Sequence, residues 1–151
     1  MANRYWNPSA DANWADANVW ATTFNGDPTG VATPTQNDDC FFTATNSHKC
    51  TIGANANCNN LYFDNADNGG HGDYIGQFGN AADGGIFNIY GSMVLSGSMT
   101  MAYGYSFSFQ GTSAQTLKSN GNSFSCILKL FYGTGGGLTL QDDLKILVSG
   151  S

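Results

Sequence analysis

Between Met93 and Phe109 every second residue is large and apolar or a glycine: Met93, Leu95, Gly97, Met99, Met101, Tyr103, Tyr105, Phe107 and Phe109. The residues between them (Val94, Ser96, Ser98, Thr100, Ala102, Gly104, Ser106, Ser108) are nearly all small or polar. Successive side chains of a strand point to opposite faces, so a period of two makes one apolar and one polar face. It does not fit the 3.6-residue period of a helix. The run is too long for one ordinary strand. Gly97 and Gly104 therefore divide it into consecutive strands that keep the same inside, as a chain does when it winds round a central core. This predicts that Met93, Leu95, Met99, Met101, Tyr105, Phe107 and Phe109 face one core.

The same texture, strand then Gly/Asn turn then strand, extends from Cys40 onward. Residues 1–36 differ: they hold all three tryptophans (Trp6, Trp14, Trp20), all three prolines and little alternation. An internal match also appears. Phe87-x-Ile89-x(3)-Met93-x-Leu95 resembles Leu138-x-Leu140-x(3)-Leu144-x-Ile146, and glycines precede both copies. A looser match links Cys58, Leu61 and Phe63 with Cys126, Leu128 and Leu130. Repetition without helices is what stacked β-coils produce. The expected fold is all-β, a parallel β-solenoid (β-helix) with a Trp-rich N-terminal cap or attachment segment over 1–36 and a body over 37–151. A β-sandwich or jelly roll with two similar hairpins is the alternative. In the cap reading, Trp6, Trp14 and Trp20 precede the first strand and cover its exposed core. The competing reading has them stack on sugars at the surface.

Composition excludes several function classes. Five bases (Arg4, Lys49, Lys118, Lys129, Lys145) are scattered against 11 acids, for a net charge of −6. Gripping a phosphate backbone needs clustered cations, so nucleic acid is not an expected partner. Only 11% of residues are charged, but 41% are hydrophobic and 13% aromatic, which is enough apolar surface to fold. No stretch approaches the ~20 apolar residues of a membrane span, and the start lacks the apolar run of a secretory signal. The expectation is a soluble chain made in a cytoplasm, with no membrane partner.

Nor does a catalytic set emerge. His48 and His71 lie in Asn/Gly-rich contexts and read as solvated loop residues. Asp64, Asp67 and Asp73 share one loop, and Asp38-Asp39 and Asp142-Asp143 are adjacent pairs. Paired carboxylates can hydrolyse sugars, yet neighbours on a strand face opposite sides, and in turns such acids serve turn geometry. The spacing matches no EF-hand loop. The cysteines (Cys40, Cys50, Cys58, Cys126) do not form a zinc pattern, and Cys126 reads as a small buried hydrophobe. No catalytic residue, cofactor or metal is expected. At the other end Leu144, Ile146 and Val148 continue the alternation almost to residue 151. An open final rung there needs a cover: a symmetry mate, another protein or further chain.

Arg4-Tyr5-Trp6, the spaced Asn13-Trp14 and Trp20, Pro34-Thr35 and Asp38-Asp39-Cys40-Phe41-Phe42 together resemble the opening of a repeat-rich family. The segments Phe87–Leu95 and Leu138–Leu144 resemble its rungs. That family comprises phage and prophage structural proteins and bacterial surface proteins with parallel β-helix repeats. The resemblance implies a non-enzymatic bacteriophage virion structural protein, either a capsid decoration or cement protein or a component of a tail fibre or spike. It would be assembled in the host cytoplasm with other capsid or tail proteins, as a homo-oligomer with a trimer favoured. Partner contacts would be made through Trp6, Trp14, Trp20, Leu144, Ile146 and Val148, and a host glycan is a further expected contact. The alternative is an extracellular or cell-surface adhesin or carbohydrate-binding module.

Overall fold

The computed structural model describes residues 1–80, 82, 84–102, 106–124, 126–132 and 134–147. Tyr103, Gly104, Tyr105 and Val148 therefore lie outside the described residues. The chain opens with β1 (Ala2–Trp6), β2 (Ala12–Asn13), a 3-10 turn at Ala17–Val19, and β3 (Trp20–Ala21). Circuits of three strands follow. The first is β4 (Asp38–Phe41), β5 (Cys50–Thr51) and β6 (Ala56–Cys58); the second is β7 (Leu61–Tyr62), β8 (Gln77–Phe78) and β9 (Ile86–Ile89). The third is β10 (Met93–Val94), β11 (Thr100–Met101) and β12 (Ser106–Gly111). Then come β13 (Ala114–Lys118), β14 (Ser123–Phe124) and β15 (Ile127–Tyr132), and finally β16 (Gly137–Leu140) and β17 (Lys145–Ile146). Among the described residues there is no α-helix.

In the first three circuits the strands fall to three sheets in turn. The first sheet runs β3-β1-β4-β7-β10-β13-β16, the second β2-β5-β8-β11 and the third β6-β9-β12-β15. In the last two circuits β14 and β17 take the second position and pair with each other. Every pairing is parallel except β1 with β3. That pattern sets aside the sandwich alternative, whose sheets are built from antiparallel strands.

Parallel register places each side chain over its counterpart one strand spacing away. Inside the first sheet the column is Cys40, Leu61, Met93, Leu117, Leu140. Inside the third it is Phe87, Phe107, Leu128, beside Cys58, Ile89, Phe109, Leu130. Met93, Leu95, Met99, Phe107 and Phe109 are buried in one cluster, and Met101 packs against it, as the alternation predicts. The long apolar run is one complete circuit, cut into β10, β11 and β12, with Gly97 in the turn after β10. Outward columns are polar where strands stack in the third sheet. Asn88 Nδ2 donates to Asn57 Oδ1 (3.1 Å), and Gln110 Nε2 donates to Asn88 Oδ1 (2.6 Å).

Three expectations need correction. First, the match between Phe87–Leu95 and Leu138–Ile146 is not the structural repeat. It aligns β9 of the third sheet with β16 of the first. The real steps down the first sheet from Cys40 are 21, 32, 24 and 23 residues. Rungs on different sheets look alike because each needs the same two inward apolar residues and a corner. Second, the tryptophans do not precede the first strand, because residues 1–36 already contain strands. Trp6 ends β1 and Trp20 begins β3. β1 pairs with β4 and β2 with β5, so the segment adds a rung to two of the sheets. Third, Cys126 is only half-buried, because its rung lies near the end of the stack.

Candidate functional site

The two ends of the stack differ. At the N-terminal end β3 lies antiparallel along β1 and closes that edge. The third sheet has no strand before β6, and the tryptophans fill the room this leaves. Trp6, Trp14 and Trp20 are all buried. Trp14 and Trp20 rings sit 4.5 Å apart, Trp6 stacks on Phe42 at 5.4 Å, and Trp14 reaches Phe87 at 4.6 Å. That last contact passes where Ala56, the register partner of Phe87, has only a methyl group. Two of the three indole N–H groups have carbonyl partners: Trp6 Nε1 donates to the His48 carbonyl (3.1 Å) and Trp20 Nε1 to the Trp14 carbonyl (2.9 Å). Buried rings are available neither to a sugar nor to a partner, so the contact role expected of the tryptophans does not fit their position.

At the other end the inward columns run out into solvent. Leu130, stacked on buried Phe109, is 56% exposed. Leu140, stacked on Leu117, is 46% exposed, and Ile146, stacked on Phe124, is 57% exposed. Leu128, Leu138 and Leu144 are half-covered and pack on the core beneath. Val148 lies outside the described residues. Among the described residues these side chains leave apolar surface exposed at this end.

Five of the acids that invited a catalytic reading, Asp38, Asp39, Asp64, Asp73 and Asp142, are engaged by neighbouring groups. Asp64 accepts from Ala66 N (2.8 Å) and Asn120 Nδ2 (2.9 Å) and lies 3.9 Å from Lys118 Nζ. Asp73 accepts from Asn65 N (2.7 Å) within the same loop. Asp38 accepts from the amide and hydroxyl of Thr35, both at 2.9 Å, and lies 4.0 Å from Arg4 Nη2. Asp39 Oδ1 accepts from the side chains of Asn59 and Asn60, both at 2.8 Å. Asp142 accepts from the amides of Ser119 (2.7 Å) and Asn120 (2.6 Å), locking the turn of the coil beneath. Burial opposes ionisation there, but these hydrogen bonds outweigh it and hold its carboxyl below the ordinary range. Among the described residues no group of three or more His, Cys, Asp or Glu side chains is placed to hold a metal ion. His71 is partly exposed in its loop, and its ring stacks on Phe24 at 3.8 Å.

Sequence reasoning missed one site. A groove of about 420 Å³ opens beside the ends of β9, β12 and β15. Four amide side chains line it (Gln36, Asn37, Asn59, Gln110), together with the rings of Tyr90 and Phe131. Thr112 and Ser113 add hydroxyls at the turn after β12. Comparison with protein-family models, with curated proteins and with solved structures finds no match for this chain. The groove residues come from five stretches spread between positions 36 and 131, so no local motif announces them. One signal was legible: in Ile127-Leu128-Lys129-Leu130-Phe131 the outward positions 127 and 131 are apolar where the strand beneath has Ser106 and Gln110.

Proposed function

We propose that the chain is a non-enzymatic structural protein of a bacteriophage particle, a capsid decoration or cement protein or part of a tail fibre or spike, built as a parallel β-solenoid. The solenoid reading rests on parallel strands, most of which return to the same three sheets in fixed order. The observation that carries the assembly role is the asymmetry of the ends, one closed by β3 and the tryptophans, the other presenting Leu130, Leu140 and Ile146. Burying such a face is worth about 25 cal/mol per Å² and drives association. A closed ring would cover that face with one repeated interface, with a trimer favoured. The likeness of the Trp-rich opening and the later rungs to phage structural proteins supplies the context. No helix among the described residues is long and apolar enough to cross a membrane.

Two measurements test the proposal. Quantitative mass spectrometry of gradient-purified virions from cells carrying the gene should find the chain at a fixed copy number per particle; its absence overturns the virion assignment. Sedimentation velocity should find an oligomer that Leu140→Asp with Ile146→Asp converts to a folded monomer. A monomeric wild type whose residues 138–147 touch nothing in the particle overturns the assembly role.

A further inference from the structure

We propose that the groove bounded by Gln36, Asn59, Tyr90, Gln110 and Phe131 binds a neutral oligosaccharide. Its lining is polar yet carries no carboxylate, ammonium, guanidinium or imidazole group among the described residues. An ionic ligand would find no counter-charge there, and the net charge of −6 disfavours polyanions further. What remains is amide and hydroxyl chemistry plus aromatic faces, the set that recognises a polyhydroxylated ring with apolar C–H faces.

The acceptors are held in place. Gln110 Nε2 is fixed by Asn88 Oδ1 (2.6 Å) and Ser108 Oγ (3.2 Å), and Asn59 Nδ2 by Asp39 Oδ1 (2.8 Å). Gln110 Oε1 and Asn59 Oδ1 accept no hydrogen bond among the described residues and are free for sugar hydroxyls. Gln36 and Asn37, both exposed, contribute uncommitted amides that donate as well as accept.

The rings are spaced by the fold itself. Phe131 is the register partner of Gln110, and Tyr90 directly follows β9 on the strand to the other side. Two strand spacings of about 4.8 Å separate the two aromatics, the span of a short oligosaccharide. Phe131 is 59% exposed, an outward phenyl ring that the core does not use. A shallow neutral site binds weakly singly, and repeated copies on one particle would raise avidity.

The test uses the purified chain with maltohexaose, cellohexaose and chitohexaose as neutral probes and hexagalacturonate as the charged one, read by saturation-transfer NMR and calorimetry. At least one neutral probe should bind, and Phe131→Ala should weaken it by at least about tenfold. Gln110→Leu should do the same, while Ile127→Ala, on the same strand but outside the groove, stays within about twofold. No binding by any neutral probe at about 10 mM, tighter binding of hexagalacturonate, or full binding by Phe131→Ala overturns the proposal. Far-UV circular dichroism of each variant separates loss of the site from loss of the fold. Because the assay needs only the isolated chain, its outcome is independent of the virion assignment.

Discussion

Truncating Phe107 to alanine should be among the most damaging single changes in this protein, and truncating Leu130 among the mildest in the same stack. Phe107 is fully buried on β12. Its ring lies 6.3 Å from Phe78, nearly parallel to it, and 5.9 Å from both Phe87 and Phe124. Burying such a side chain is worth about 1.5–3 kcal/mol in transfer alone. The cavity walls would be rings held on three other strands, which cannot close in together, so the full cost should reach about 3–5 kcal/mol. Leu130 faces the same interior one rung later, but with 56% of it in solvent, less than half of a leucine's burial is at stake. Its loss should cost about 1 kcal/mol in dilute, unassociated protein. Urea denaturation gives both values from the shift in midpoint at unchanged slope. Tryptophan fluorescence reports the closed end and far-UV circular dichroism the whole stack. The two should coincide, because the buried residues form one continuous cluster. A Phe107→Ala cost below about 1 kcal/mol, or a Leu130→Ala cost equal to it, would refute the packing described.

Three further outcomes follow from particular contacts. Cys40, Cys50 and Cys58 are buried free thiols, and burial holds the Cys40 thiol well above its ordinary pKa, so native protein should leave these three unalkylated while unfolded protein yields four. Half-buried Cys126, pushed up to about 11 by burial, should react slowly and accelerate as pH rises towards that value; a bridge found under non-reducing conditions would contradict this. Asp142→Ala should destabilise by about 1 kcal/mol by freeing the Ser119 and Asn120 amides. Because the folded-state pKa of Asp142 is lowered, that difference should be constant above the ordinary carboxylate range and vanish as pH falls through the lowered value; pH-resolved urea melts measure it. Incubation with capsular or lipopolysaccharide glycans should release no reducing ends, and cleavage abolished by Asp64→Asn, Asp67→Asn or Asp73→Asn would overturn the non-enzymatic reading.

Which side chains face inward was legible from residue order alone. The pleat of a strand sends alternate residues to opposite faces, a steric rule that needs no distant partner. Met93, Leu95, Phe107 and Phe109 are therefore buried where the alternation puts them, and the turn at Gly97 falls where the run has to bend. Which strand stacks on which was not legible. Parallel pairing depends on the length of each whole circuit, and the loop between β7 and β8, pinned by Asn68 Nδ2 to the Phe42 carbonyl (3.0 Å), stretches one step to 32 residues where its neighbours take 21 and 24. A sequence match sees two inward residues and a corner, and those are the same on every sheet. Trp6 and Trp20 look like loop residues because β1 and β3 are short and irregular in sequence; only pairing with β4 and with each other makes them strands. The groove shares that origin. Gln36, Asn59, Tyr90, Gln110 and Phe131 are distant along the chain and become neighbours because parallel pairing brings strands far apart in sequence side by side. Local stereochemistry decided what lies inside this protein, and the lengths of its circuits decided what meets on its surface.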